Sequence, residues 1–487
     1  MNKYKKLLSD TAVYGIGTFT SKMLVFLLTR LYTECLTDEQ FGTADLITNM
    51  ANLLIPLAAA GLCEGIFRFV IDAGENKKSV FSTAILMLIA STAVFAAISP
   101  ALLLLERFRN YYWIIVVYVL ASNFHSACAQ YIRACDKTKL FAVQGILNTA
   151  LTITFNIIFL VILPKESFLN GVTGYVLSIV IADIIVGLFL VISQKLYRDV
   201  KISLFDKATA KSMLKYSLPL IPTTIFWWVT NVSDRYMISY FVGLDQNGLY
   251  AASAKIPTLL ILVAGVFSEA WQLSAVKTSD PKERSDFYST VFACFSGLIF
   301  VAGSLIIAMS RVFATVLFAK SYFTAWTFIP VLAAAGVFSA FVNFLASIYM
   351  VKKRSVKSFL TAMTGALVNI TLNFILIPDT LNLFGNEIKL AGMGVQGAAI
   401  ATLVSYFVVF VIRSVDSKKV LAFRLGVPYI VASSAFIALQ ICSILLIEDL
   451  FLVYALQAVS VAGIFAVNAK SLIKGTKSII LSIKGKK

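Results

Sequence analysis

One histidine and six scattered cysteines are all that 487 residues offer toward metal or thiol chemistry. Cys128 and Cys135 lie seven residues apart and share a helix face, but no histidine or carboxylate completes a ligand set beside them. The cysteines therefore read as small buried hydrophobes, and no metal or other cofactor is expected. A nucleophile elbow, a phosphate loop and a pair of zinc-type histidines are likewise missing. Charge is scarce too: Asp, Glu, Lys and Arg make up 14% of the chain, against about 25% in an ordinary soluble domain. So few charges cannot cover the surface of a soluble protein of this length. A soluble enzyme, a disordered chain and a small disulfide scaffold are all excluded.

What the chain has in abundance is apolar length. Hydrophobic residues make up 59% of it, and the mean hydropathy is +0.86. A helix needs about 20 mainly apolar residues to cross a bilayer core of roughly 30 Å. That window predicts fourteen transmembrane helices, near 11–33, 41–64, 80–105, 111–132, 140–163, 171–194, 216–241, 248–276, 286–309, 324–350, 356–377, 391–412, 426–447 and 450–469. The boundaries near 41–64 and 248–276 are soft, because those stretches are the least apolar. Lys3, Lys5 and Lys6 precede a run rich in Thr and Gly, which is not the pattern of a cleavable signal peptide.

The net charge of +17 would suggest nucleic acid in a soluble protein. Placed on fourteen spans it has another meaning. With the N-terminus inside, 32 of the 42 Lys and Arg fall on inner segments, six on outer loops and four within spans. The largest inner clusters are the 195–215 loop and the tail from Lys470. Lys and Arg near span ends resist translocation, so both termini are expected in the cytoplasm, and no nucleic acid is called for.

The first half of the chain is repeated in the second. Thr29-Arg30-Leu31-Tyr32 is echoed by Asp234-Arg235-Tyr236-Met237 at an offset of 205, and Glu64 by Glu269 at the same offset. Gly171-Val172-x-Gly174 matches Gly394-Val395-x-Gly397 at 223. The repeat unit is six spans, and an even number keeps orientation, so the halves are parallel repeats. The expected organisation is an N-terminal lobe over 1–194, a basic cytoplasmic linker over 195–215, a second lobe over 216–412, and two extra helices with a basic tail over 413–487. Two such lobes around a central cavity are a transporter's architecture.

The stretch Ser217-Leu218-Pro219-Leu220-Ile221-Pro222, leading to Ser233-Asp234-Arg235-Tyr236 and on through Gly243 and Gly248-Leu249-Tyr250-Ala251-Ala252-Ser253-Ala254-Lys255-Ile256, carries a resemblance. With Gly15 to Arg30 followed by Phe41-Gly42, it resembles the polysaccharide-type flippases of the multidrug/oligosaccharidyl-lipid/polysaccharide exporter superfamily. The resemblance implies movement of an undecaprenyl-diphosphate-linked oligosaccharide across the bacterial cytoplasmic membrane by alternating access. It also implies membrane lipids and glycan polymerase machinery as partners, and a monomer is expected. A cation-coupled multidrug exporter and a lipid II flippase stand as alternatives. Catalysis on the same saccharide is not expected. A polymerase or ligase would need a large outer loop, and the longest, near 310–323 and 378–390, hold about a dozen residues. A glycosyltransferase would want a soluble domain with paired carboxylates on a metal.

Ionisable groups inside spans mark function or pairing by default. Lys22 lies about 11 residues into its span, roughly 16 Å at helical rise and so near the midplane. Arg30, Asp45, Asp234, Arg235 and Lys255 fall in the first two helices of each lobe, and Asp183 near the middle of span six. One reading makes Lys22, Arg30, Arg235 and Lys255 cavity cations for a diphosphate, since guanidinium forks suit phosphate oxygens. Asp45, Asp183 and Asp234 would then be supporting or coupling carboxylates. The other reading is internal pairing, such as Arg235 with Asp45 or Lys255 with Asp234. His125 could carry a proton or simply bond a neighbouring helix. The tryptophans Trp227, Trp228, Trp271 and Trp326 read as belts and packing before sugar platforms.

Overall fold

The structure is a computed structural model that describes residues 26, 28–72, 76–265, 281–351, 355–383, 386–420 and 423–484. It is built almost wholly of helices, and among the described residues eleven are long and apolar enough to cross a bilayer. In chain order the helices begin with α1 (Asp38–Ala58), α2 (Leu62–Asp72), α3 (Lys77–Ile98), α4 (Tyr112–Ala134), α5 (Thr138–Ile157), α6 (Val172–Ser193) and α7 (Lys207–Ser217). Next come α8 (Leu220–Phe241), α9 (Leu244–Lys255), α10 (Pro281–Ala308), α11 (Ile329–Val351) and α12 (Ser355–Leu376). A hairpin of β1 (Thr380–Leu383) and β2 (Asn386–Lys389) precedes α13 (Gly394–Val420), α14 (Val427–Leu446) and α15 (Leu450–Lys484). The fold class is all-α, as expected for a bundle of membrane helices, and the short antiparallel hairpin is an addition within the 378–390 loop, with Thr380 opposite Lys389.

Most expected spans are recovered as helices, and the departures have local causes. The first span falls mainly on residues outside those described. The second is bent: α1 and α2 meet at 49° across a short break and together make a twelfth candidate span. Thr37 and Gln40 start α1 with a reciprocal capping box. Near its end Pro56 lacks an N–H to continue the ladder. Ala60 and Gly61 then turn the chain through left-handed conformations, at φ of 49° and 68°. At Gly61 a β-carbon would lie 2.9 Å from the Ser217 carbonyl oxygen, so the break requires glycine by contact as well as by conformation. The span expected over 216–241 is also divided, α7 ending at Ser217 and α8 beginning at Leu220. The polar run from Thr230 to Arg235 keeps α8 out of the eleven apolar helices despite its 22 residues.

Two compact units contain the chain, Met1–Val232 and Ser233–Lys487. In the first, Ile66, Val70, Phe81, Ala84 and Ile132 are buried together, with Phe81 stacked on Tyr131 at 3.9 Å between centroids. The basic segment after α6 is fixed to this unit by hydroxyls of α3. Ser82 donates to the Lys201 carbonyl at 2.6 Å and accepts from the Lys201 N–H at 2.9 Å. Ser79 donates to the Leu204 carbonyl at 2.9 Å, and Thr83 accepts from the Asp206 N–H at 2.9 Å. Asp206 in turn caps α7, accepting from the Ala208 and Thr209 N–H groups and the Thr209 hydroxyl. In the second unit Phe292, Phe295, Phe341 and Phe344 pack edge and face together. The last two helices are tied by amides. Gln440 of α14 donates to Gln457 of α15 at 2.9 Å and to the Ser304 carbonyl of α10 at 3.3 Å. Asn468 donates to Ser433 at 2.9 Å.

Candidate substrate and coupling sites

The first unit gathers a polar cluster inside otherwise apolar helices. Gln144, Asn148, Thr152 and Asn156 recur at every fourth position of α5 and so share one face. His125 of α4 meets that face, and Asp183 joins from α6, a helix of mean hydropathy 2.8, where Ser122 of α4 also reaches it. The His125 Nδ1 lies 2.9 Å from Asp183 Oδ1, and its Nε2 lies 2.6 Å from Gln144 Oε1. Asn148 donates to Asp183 Oδ1 at 2.7 Å, and the Ser122 hydroxyl donates to Oδ2. Besides Asp183 Oδ1 and Gln144 Oε1, the ring meets the Asn148 amide nitrogen, 3.2 Å from Nδ1, so both ring nitrogens are met by polar partners. The cluster therefore holds a carboxylate and a titratable base as one compensated set within hydrocarbon.

The second unit builds a different cluster around Asp234. This buried carboxylate accepts the Tyr250 hydroxyl of α9 and lies 3.4 Å from the Thr402 hydroxyl of α13. Asn369 of α12 donates to Thr402 at 3.3 Å, while its own oxygen accepts from Ser233 at 2.9 Å and from Asn373 at 3.0 Å. The Arg235 guanidinium stands 3.8 Å from Asp234 Oδ1 and 5.6 Å from the centre of the Tyr250 ring. Its side chain keeps 17% of its surface exposed. Arg235 is thus held by a neighbour in sequence and by a ring on which a cation is attracted.

The remaining expected site residues are dispersed. Lys22, Glu269 and Trp271 lie outside the described residues. Arg30 is 42% exposed and pairs with Glu34 one turn on, its Nε 2.6 Å from the carboxylate. Asp45 is buried in α1, and Lys255 is half-buried in the last turn of α9, where a cation complements the helix dipole. The Trp228 indole donates to the Asn49 carbonyl at 2.7 Å, and the Arg311 guanidinium lies 4.2 Å above Trp326, so both rings have local packing partners.

Arg413 corrects the cation tally, which places it among the inner loop charges. Because α13 continues to Val420, Arg413 is fully buried, donating to the Thr361 hydroxyl and the Val342 carbonyl at 2.9 Å each. A third donation reaches the Ser358 carbonyl at 3.2 Å. The signal was in the sequence: Ser405, Arg413 and Ser417 fall at multiples of four on one face, and all three are buried.

Membrane-spanning helices enclosing compensated ionisable clusters define a polytopic membrane protein, and its fold is that of the exporter superfamily named above. The solved lipid II flippase MurJ, in an inward closed conformation, matches with a TM-score of 0.65 at 14% identity, over 94% of this chain and 98% of that one. An inward-facing multidrug resistance transporter of the MATE family also gives 0.65 at 14% identity, over 82% and 95%. These likenesses concern the fold. An uncharacterized membrane protein of Methanocaldococcus jannaschii is 22% identical over 426 residues, 83% of this chain and 96% of its relative. Residues 7–271, more than half of the chain, match the family described as polysaccharide biosynthesis protein. The chain belongs to that family.

Proposed function

We propose that the protein is a flippase for a lipid-linked oligosaccharide, carrying an undecaprenyl-diphosphate-bound glycan across the cytoplasmic membrane by alternating access. The observation that carries this reading is the placement of Arg235, a partly exposed guanidinium held on α8 beside Asp234 and Tyr250. Its counterpart at the repeat offset, Arg30, is also exposed. Each half thus offers a fork suited to phosphate oxygens at the same repeat position. Membership in a polysaccharide biosynthesis family supports a glycan as the cargo. The His125–Asp183 cluster supports a proton as the coupling ion, because imidazole titrates near neutral pH and the cluster changes its net charge when one proton leaves.

The test is export of a fluorescent polyprenyl-diphosphate oligosaccharide by the full chain in proteoliposomes, with an imposed pH gradient. Arg235→Ala and Lys22→Ala should each reduce transport at equal protein abundance; normal transport by both would remove the diphosphate reading. The rival is a cation-coupled multidrug exporter, which the shared fold with a MATE transporter keeps in view. Drug efflux from the same vesicles with no movement of the glycan lipid would establish that rival.

A further inference from the structure

An apolar groove runs along the first unit between α3, α4 and α6, with a volume of about 400 Å³. Phe81, Ile85 and Ile89 form one wall and Leu120, Phe124 and Cys128 another. One end is closed by Tyr197 and Val200 of the basic segment after α6. From Phe81 to Thr92 the groove follows three turns of α3, roughly 16 Å at helical rise. That is about half of a hydrocarbon core roughly 30 Å thick, the depth of a single leaflet. Apart from the exposed Tyr197 at its end, its hydrogen-bonding lining is Thr92 and Asn123. Both are satisfied within the protein, Thr92 by the Leu88 carbonyl at 2.7 Å and Asn123 by donating to the Ile55 carbonyl at 3.0 Å. The groove asks for a hydrocarbon chain.

The closed end asks for an anion. Arg198 and Lys201 directly follow the two residues that close it, and Lys195 precedes them; all three are exposed. The Arg198 guanidinium lies 5.7 Å from the ring centre of the groove residue Tyr197. The one carboxylate of this turn, Asp199, is already answered by Lys78 at 2.8 Å and by the Tyr131 hydroxyl at 3.4 Å. Lys201 cannot drift from the groove, because Ser82 holds its backbone through both N–H and carbonyl. Ile202 beside it is 82% exposed and apolar, as a residue dipping into a headgroup layer would be.

We propose that this groove holds one chain of an anionic phospholipid of the cytoplasmic leaflet, with its phosphate against Arg198 and Lys201. The site would fix the first unit to lipids of one charge class, and it uses neither of the guanidinium groups assigned to the transported glycan lipid.

The experiment uses the full chain in phosphatidylcholine proteoliposomes. Phosphatidylglycerol or phosphatidylcholine bearing a photoreactive acyl chain is added as a minor component, and adducts are mapped by mass spectrometry. Adducts on 81–92, 120–128 and 191–200 should come preferentially from phosphatidylglycerol. The preference should weaken in high salt, as an exposed ionic contact does. Arg198→Gln with Lys201→Gln should cut it about 25-fold, about fivefold for each cation lost near an anionic surface. Ile89→Trp, at an exposed lining position, should displace both probes. Equal labelling by the two lipids, or no adducts in these segments, would overturn the proposal. So would loss of the label to undecaprenyl phosphate but not to excess phosphatidylglycerol, which would assign the groove to the cargo's tail. Glycan transport read in the same vesicles distinguishes this proposal's failure from that of the flippase reading.

Discussion

The ring of His125 is clasped between Asp183 Oδ1 at 2.9 Å and Gln144 Oε1 at 2.6 Å, so one imidazole joins three successive spans of the first unit. Removing one member leaves the other buried without its charge partner, which costs about 3–5 kcal/mol in such settings. Asp183→Ala and His125→Ala should each lower thermal stability in detergent by that order. Asp183→Asn with His125→Gln, which leaves only neutral groups, should recover most of it. The same double variant should lose the response of transport to a pH gradient, measured in proteoliposomes.

Arg30 and Arg235 separate function from stability. The Arg30–Glu34 pair is an exposed contact one helical turn apart, and such pairs contribute about 0.3–0.5 kcal/mol. Arg30→Ala should therefore leave abundance and melting nearly unchanged. If the guanidinium meets the diphosphate, export should nevertheless fall about tenfold or more, since charged hydrogen bonds are worth about 1.5–3 kcal/mol. Unchanged export would show that Arg30 serves only its own helix.

Arg413 should tolerate no conservative exchange. Its three donations spread over Thr361, Val342 and Ser358, and a guanidinium reaches them from one planar fork. An ammonium is a single point on a flexible stem. Arg413→Lys should destabilise the second unit by about 2 kcal/mol or more, the loss of at least one charged hydrogen bond. Differential scanning fluorimetry of the purified protein reads this directly.

Gly61→Ala tests the bend of the second span. Its positive φ would cost an L-residue about 1–2 kcal/mol, and the new methyl would meet the Ser217 carbonyl oxygen at 2.9 Å. The expected loss is about 2 kcal/mol or more. Gly145→Ala, at a position with open space around it, is the control and should be neutral or slightly stabilising through helix propensity.

Asp206 gives a pH signature outside the membrane. Its hydrogen bonds to the Thr209 hydroxyl and to the Thr209 and Ala208 N–H groups hold its carboxyl below the usual carboxylate range. A depressed folded value means that the cap's contribution is present above the unfolded value and is lost as pH falls through the folded one. Amide exchange in Lys207–Ser217, corrected for intrinsic rates, should accelerate on acidification below that range. Asp206→Ala should show fast exchange at every pH.

Hydropathy made nearly all the spans legible, because a helix in lipid must satisfy its backbone within itself and therefore shows as one long apolar run. The bend was written in Pro56 and Gly61, yet a sliding window averages across such residues. The cluster partners were harder to see. Asp183 and Asp234 announce themselves by charge, whereas Gln144, Asn148, Asn369 and Thr402 are neutral and count little against hydropathy. A spacing of four along α5 was the available signal for Gln144 and Asn148, as it was for Asn369 with Asn373 on α12, whereas Thr402 on α13 gave none. Arg413 was misplaced for a related reason: an apolar window ends at the first cation, while the helix itself continues.

The amide clasp of Gln440 with Gln457 differs in kind from the His125–Asp183 set. Both tie helices together inside the bilayer, but the glutamines carry no formal charge at any pH. A transmembrane voltage acts on charge, with about 2.3 kcal/mol per elementary charge per 100 mV across the full potential. It therefore finds no formal charge at the joint that seats α14 and α15, whereas the paired imidazole and carboxylate are groups on which it can act. The joint between the last two helices thus carries no formal charge, although α15 ends in lysines from Lys470 onward, and the membrane's electric field finds buried charges in the first unit's cluster instead.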